Sequence, residues 1–415
     1  MKNFTRELNE IDDLAVDTGW NTGLAAAPAG IAEAAQRFEL IDVTDMREAP
    51  ALLAAWREML SRGSSPEKLY QTPEFFRYMV ESNPGVAGSQ LLYAVRRRSD
   101  GAYVGIVPVR PGTQEVRFGL GPLQFASRTL PTLQVLGSVP LLDRNETSLP
   151  GFVHDSLLRL HPACRVLAMQ AVPAAQVAAL DDLSGLSAHV HNGVRACHTV
   201  PLPDNFDAYL AKFSSKKRYN LSRQVRLLAT QAGEMQLCRI ETPEQVPDLI
   251  AAMKAMMPAQ VAQAGVQLRF ERLAAQGLLH SYVLRCGAED VAVIVATRSF
   301  DVWHVHNIGA LAKYQALSAG TSMVHLALQD VITHFSFADA DFGYGSPNQE
   351  FRATHVLKNR CSVLICQARS PTAALLAAHG IWQRAADALI VRVKQARARM
   401  KQRALAARKA PAPAA

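Results

Sequence analysis

The chain has 415 residues, more than one domain usually holds, so two domains with tails are expected. Hydrophobic residues make up 49% and charged residues 19%, a balance that gives real cores and excludes a disordered or collagen-like chain. The net charge of +8 resides at the C-terminal end: positions 388–415 carry Arg392, Lys394, Arg397, Arg399, Lys401, Arg403, Arg408 and Lys409 and no acid, so the body is near neutral and a fold-wide nucleic-acid face is disfavoured.

No run approaches the roughly 18 apolar residues that cross a bilayer. The N-terminus has no apolar h-region, so no signal peptide or membrane anchor is read and a cytoplasmic location is expected. Six cysteines are scattered without a Cys-x-x-Cys pair, which predicts small buried hydrophobes and no metal site. Cys361 and Cys366 fall on opposite faces of one strand.

Positions 1–38 read as a loose leader. Pro50 opens a helix with Leu52, Leu53, Trp56, Met59 and Leu60 on one stripe. Thr72 caps a second helix that begins at Pro73. Positions 91–97 and 103–109, joined by Ser99, Asp100 and Gly101, form a β-hairpin, and short strands follow to about residue 170. Adjacent strands mixed with helices make the class α+β.

The pattern restarts near residue 200. Pro201 and Pro203 break the chain and Phe206 opens helical structure. Leu221, Val225 and Leu228 then mark an amphipathic helix that Gly233 stops; its first turns carry Lys216, Lys217, Arg218 and Arg223. A helical region over 253–264, a hairpin over 281–298, a strand over 303–308, a helix after Gly320 and strands over 337–342 and 361–366 complete the half. From 373 to about 405 the chain is an Ala-rich basic helix with a partial stripe of Leu376, Ile381, Ala385, Leu389 and Val393. The expected division is a leader over 1–38, domains over 39–200 and 201–370, and a helical tail over 371–415.

Three clusters invite chemistry. Leu317, Ser318, Ala319, Gly320, Thr321 and Ser322 open a helix after a strand, where free N–H groups and the helix dipole suit a pyrophosphate, although ordinary capping uses the same residues. A glycine-rich loop leaves a strand with Asp341, Tyr344, Glu350 and Arg352, and reads either as a site of close substrate approach or as a plain turn. His304 and His306 alternate with Trp303 and Val305 and so share one strand face, as a general base or as a polar face. The basic helix with Lys216, Lys217, Arg218 and Arg223 suits an acidic small ligand, RNA or bulk solvent; one interleaved aromatic, Tyr219, does not make a base-stacking surface. The absence of G-x-S-x-G, H-E-x-x-H and Walker A patterns excludes the corresponding hydrolases, zinc proteases and P-loop NTPases.

In this order the segments Tyr70-Gln-Thr-Pro-Glu-Phe-Phe76, Phe213 to Arg223, Leu317 to Ser322, and Asp341-Phe-Gly-Tyr-Gly345 with Phe351-Arg352 resemble GNAT-superfamily acyltransferases of the cellulose-biosynthesis-associated (CelD-type) family, which are related to Fem-type aminoacyl transferases. Ala319 stands where that pattern has proline, and Phe351-Arg352 where it has Tyr-Lys. The resemblance, over about 40–368, implies two tandem GNAT-like domains with mixed central sheets. It also implies transfer of an acyl group, acetyl above all, from acyl-CoA to an amine or hydroxyl of a small molecule or polysaccharide precursor. It implies acyl-CoA at Leu317 to Ser322, Asp341, Tyr344 and His306 near the acceptor, and Lys216, Lys217, Arg218, Arg223, Glu350 and Arg352 toward substrate. A tRNA-dependent Fem-like transferase and a catalytically degenerate GNAT scaffold are its alternatives.

Overall fold

The computed structural model describes residues 29–62, 68–82, 89–121, 123–181, 183, 185–344 and 356–409, with the backbone alone for 401–409. In the first half α1 (Ala29–Arg37) leads into β1 (Phe38–Asp42), α2 (Pro50–Arg62) and α3 (Pro73–Ser82). Strands β2 (Leu91–Arg97), β3 (Tyr103–Leu120), β4 (Leu123–Val135) and β5 (Leu141–Leu142) follow, then α4 (Leu149–Leu160), β6 (Val166–Pro173) and β7 (Leu186–Pro201). In the second half a short helix Phe206–Ala211 precedes α5 (Ser215–Ala232), β8 (Met235–Ile240), α6 (Val246–Met256) and α7 (Val266–Ala275). Then come β9 (Ser281–Cys286), β10 (Glu289–Arg298), β11 (Val302–Ala310), α8 (Ala319–His334), β12 (Asp339–Tyr344), β13 (Val356–Gln367) and α9 (Pro371–Lys409).

Local chemistry sets these boundaries. Thr72 Oγ1 accepts from Phe75 N at 3.1 Å, satisfying one of the first N–H groups of α3. Ser214 does the same for α5 by accepting from Lys217 N at 3.3 Å, and Gly233 at φ +104° ends that helix. The β2–β3 hairpin turns at Gly101, at φ +73°, with Asp100 Oδ1 accepting from Ala102 N at 3.0 Å.

One continuous sheet runs β1-β2-β3-β4-β6-β13-β7-β12-β11-β10-β9-β8, with β5 beside β3. Each half repeats one plan. Four strands pair antiparallel, β1 to β4 and β8 to β11. A crossover helix then returns a fifth strand parallel to the fourth: β6 beside β4 through α4, and β12 beside β11 through α8. The halves then exchange their last strands. β7 pairs with β12 of the second half, β13 pairs with β6 of the first, and β7 and β13 pair with each other from Thr199–Val356 to Leu186–Gln367.

The cores follow this exchange. Cys361, Val363 and Ile365 of β13 are buried with Phe38, Val107, Leu133 and Leu167 of the first half. In the second half Trp303, Ile294 and Leu284 pack with Val324 and Leu328 of α8 and Leu228 of α5. On the other face Val293 and Val295 meet Leu249 and Met253 of α6 and Phe270 and Leu273 of α7. Apolar residues on both faces of β10 make it a central strand.

Some expectations shift. The loose leader expected to residue 38 gives way at Ala29 to α1, which buries Ile31 and Ala34. The helix expected over 253–264 begins earlier, as α6 at Val246. The β2–β3 hairpin strand runs on to Leu120, because it carries a second, longer hairpin with β4.

Candidate active site

Strands β11 and β12 set the frame. They are parallel, and among the described residues their ladder has three registered pairs, Val302–Asp339, Trp303–Ala340 and His304–Asp341. Beyond His304 the strand carries a β-bulge. Val295 of β10 pairs with Asn307 and Ala296 with Val305, so His306 is the extra residue. The bulge falls just where pairing with β12 ends, which leaves a cleft in the hydrogen-bond ladder at the carboxyl ends of two parallel strands. This is where ligands bind in sheets with parallel crossovers.

Helix α8 begins at that end. Ser318, ahead of its first turn, is held left-handed at φ +58°, a region sparsely used by residues other than glycine. Ser318 O accepts from Ser322 N at 2.9 Å, so the N–H groups of Ala319, Gly320 and Thr321 precede the helix's own ladder. Among the described residues a Cβ added at Gly320 would meet Ala310 Cβ alone, at 3.8 Å, and the residue has no positive φ, so neither packing nor backbone conformation demands a glycine there. Gly320 is half-buried beside the fully buried Ala319, and a helix N-terminus of this kind favours an anion. Helix α5 packs alongside, and its Gln224 donates Nε2 to Ser318 Oγ at 3.2 Å. Helical spacing puts Lys217, Leu221, Gln224 and Leu228 of α5 on one stripe toward α8. The buried Ser322 Oγ of α8's first turn has no hydrogen-bond partner among the described residues.

A polar band crosses the sheet face opposite α8. Thr297 Oγ1 of β10 hydrogen-bonds with His306 Nε2 at 2.7 Å, and His304 Nε2 with Ser299 Oγ at 3.0 Å. Asp341 of β12 receives Arg360 Nη2 of β13 on Oδ2 at 2.7 Å, and Gly343 N at 2.7 Å and Cys197 Sγ of β7 at 3.3 Å on Oδ1. Gly343 takes φ +66°, which turns its N–H back onto Asp341. Tyr344 stacks under the Arg195 guanidinium, 4.3 Å from the ring centroid.

Charge follows environment. Burial pushes the His304 imidazole down to about 4, against the pull of Asp341. Burial, helped by neighbouring His304, pushes His306 down to about 3. Both are neutral at pH 7 and retain a lone pair. Burial by itself would raise the Asp341 carboxyl, but the Arg360 charge, His304 and the Gly343 amide outweigh it and hold Asp341 below the usual carboxylate range. Asp341 is therefore ionised and paired.

The sequence candidates thus divide. The turn Leu317 to Ser322 lies at the N-terminus of α8, and His306, Asp341 and Tyr344 lie along the cleft strands. Lys216 and Arg223 project as exposed residues of α5, while Lys217 and Arg218 are half-buried. Glu350 and Arg352 lie outside the described residues. Sequence reasoning missed Arg360, Thr297 and Cys197, which reach the site from three other strands. The one available signal was an arginine beside the apolar run that starts at Cys361. Among the described residues no group of three or more His, Cys, Asp or Glu side chains is placed to hold a metal ion.

Comparison with known proteins accords with this geometry. Residues 215–352, which begin at α5 and include β12, match the family described as Acetyltransferase (GNAT) domain. No curated protein sequence is significantly similar to the chain. Among solved structures the crystal structure of FemX is similar in fold, with a TM-score of 0.55 at 11% identity over 81% of this chain and 99% of that one. A tandem GNAT protein from the clavulanic acid biosynthesis pathway aligns with a TM-score of 0.47 at 13% identity, over 80% and 99% of the two chains. The C-terminal domain of a lysylphosphatidylglycerol synthetase from Agrobacterium fabrum aligns at 0.48 and 11% identity, over 79% and 95%.

Proposed function

We propose that the protein transfers an acyl group, acetyl above all, from acyl-CoA to an amine or hydroxyl of a small-molecule or cell-envelope polysaccharide precursor, as the resemblance to CelD-type acyltransferases implies. The observation that carries the reading is the conjunction of a parallel strand pair, a bulge where its pairing ends and a helix N-terminus with a glycine in its first turn. The N–H groups of Ala319, Gly320 and Thr321 then hold the CoA pyrophosphate, with Lys217 on the facing stripe of α5 adding charge. The thioester lies along the bulge of β11, where a backbone amide without a β12 partner polarises its carbonyl. The acceptor attacks the thioester carbon, the tetrahedral adduct expels CoA thiolate, and the acceptor proton passes to neutral His306. Asp341, ionised on Arg360, positions β12 and Tyr344 at the acceptor side.

Calorimetry with acetyl-CoA and longer acyl-CoAs, on wild type and Gly320→Glu, tests this. The glutamate puts a negative side chain where the pyrophosphate should sit while meeting no backbone clash. Binding by wild type that the variant loses supports the reading. A folded wild type that binds none of these thioesters overturns it and directs the next test to salt-dependent tRNA binding.

A further inference from the structure

Helix α9 runs from Pro371 to Lys409, and its first turns pack on the body through buried Ala373, Leu376 and His379. His379 hydrogen-bonds to Arg117 O and Trp382 Nε1 donates to Gly119 O, both at 3.0 Å, which fixes the helix against the tip of the β3–β4 hairpin. Beyond that contact the helix keeps large apolar side chains in the open: Leu389, Val393 and Met400 are 47%, 43% and 69% exposed. With about 100° per residue, Trp382, Leu389, Val393 and Met400 fall on one stripe. At the hairpin tip Phe125, 61% exposed, sets its ring 6.0 Å from that of Trp382 and extends the stripe. The same spacing puts Arg392 and Arg399 along one edge of the stripe and Arg397 along the other, with Asp387 about 140° away.

We propose that α9 and the β3–β4 hairpin tip form a docking surface for an anionic lipid bilayer. An exposed apolar stripe edged on both sides by arginine matches the acyl–headgroup boundary of such a bilayer, apolar groups inward and cations at the phosphates. No helix of the described residues is long and apolar enough to cross a membrane, so α9 lies in the interface plane. Its charge sets a second copy of the chain aside: positions 388–409 contain no acid, so self-pairing along the stripe brings arginine against arginine. The surface is independent of the acyl-CoA reading and stands or falls separately.

Co-sedimentation of the full chain with phosphatidylcholine vesicles, with and without about one-third phosphatidylglycerol, tests it. Binding to the anionic vesicles alone is expected, weakened several-fold by 0.5 M salt as the screening length shortens. Two cations at about five-fold each make Arg392→Glu/Arg399→Glu at least about 20-fold weaker. Leu389→Ser/Val393→Ser, on exposed positions that leave the fold intact, loses binding about ten-fold at unchanged charge. Failure of the folded wild type to bind anionic vesicles overturns the proposal, as does undiminished binding by the serine variant. Dimerisation of wild type in sedimentation velocity, abolished by the serine variant, overturns it in favour of a second copy.

Discussion

Arg360 on β13 donates to Asp341 on β12 at 2.7 Å across the intervening strand β7, and the two side chains are only 3% and 5% exposed. The strand that supplies the arginine is buried in the core of the first half; the carboxylate lies in the cleft of the second. The pair therefore ties the exchanged strands to the site.

Removing one partner strands a buried charge. Arg360→Ala is expected to cost about 3–5 kcal/mol, whereas Asp341→Leu/Arg360→Met, which removes both charges and refills the space, recovers most of that loss. Urea unfolding of the three proteins checks it. A double variant no more stable than Arg360→Ala would show that the pair contributes by more than mutual neutralisation.

His154 on α4 is 1% exposed and neither ring nitrogen has a hydrogen-bond partner among the described residues. Burial alone pushes its imidazole down to about 4. The unfolded chain takes up the proton near 6.5, so between pH 6.5 and 4 it binds more protons than the folded chain, and stability falls as pH falls. Above pH 6.5 this penalty is absent. His154→Phe is expected to flatten the acid slope, gaining on the order of 3 kcal/mol relative to wild type at pH 4 and little of that at pH 8. Parallel slopes for the two proteins would sink the assignment.

The base role proposed for His306 has its own pH signature. A free imidazole gives an acid limb near 6.5, but burial and His304 push His306 down to about 3. The acyl-transfer rate constant kcat/KM is expected to stay level down to about pH 5. His306→Ala is expected to lower kcat by about 10²–10⁴ with acyl-CoA affinity unchanged in calorimetry. An acid limb at 6.5 that survives His306→Ala would place the base elsewhere.

Local patterns were legible in the sequence. Thr72 and Gly233 sit at helix ends because capping is a property of neighbouring residues. Trp303 and Val305, which alternate with His304 and His306 in the sequence, lie in the second-half core. Cys361 and Cys366 do fall into different core clusters. What was hidden depended on which strands meet. Nothing near Arg360 announces Asp341, because β7 stands between them and arrives from residues 186–201. The bulge at His306 follows from register with β10, which periodicity along one strand does not encode. Ile381, read as part of the tail helix's apolar stripe, is instead 61% exposed, because Leu376 and His379 set the face that packs.

The strand exchange bears on the domain boundaries expected at residue 200. Among the described residues β7 has no neighbours in the sheet except β12 and β13, and β13 none except β6 and β7. A fragment of residues 29–201 therefore leaves β7 without a partner and β6 with an open edge. It also loses Cys361, Val363 and Ile365 from its core. At about 1.5–3 kcal/mol for each large apolar side chain, that loss is comparable to the 5–15 kcal/mol that stabilises a typical domain. Such a fragment is expected to show no cooperative melting, whereas co-expression with 202–415 restores it. The intact chain is expected to unfold in one transition by far-UV circular dichroism and by tryptophan fluorescence, since Trp56 and Trp303, one in each half, are both fully buried. A fragment that melts cooperatively on its own, or two separated transitions in the whole chain, would mean that each half closes its sheet without the other's strand.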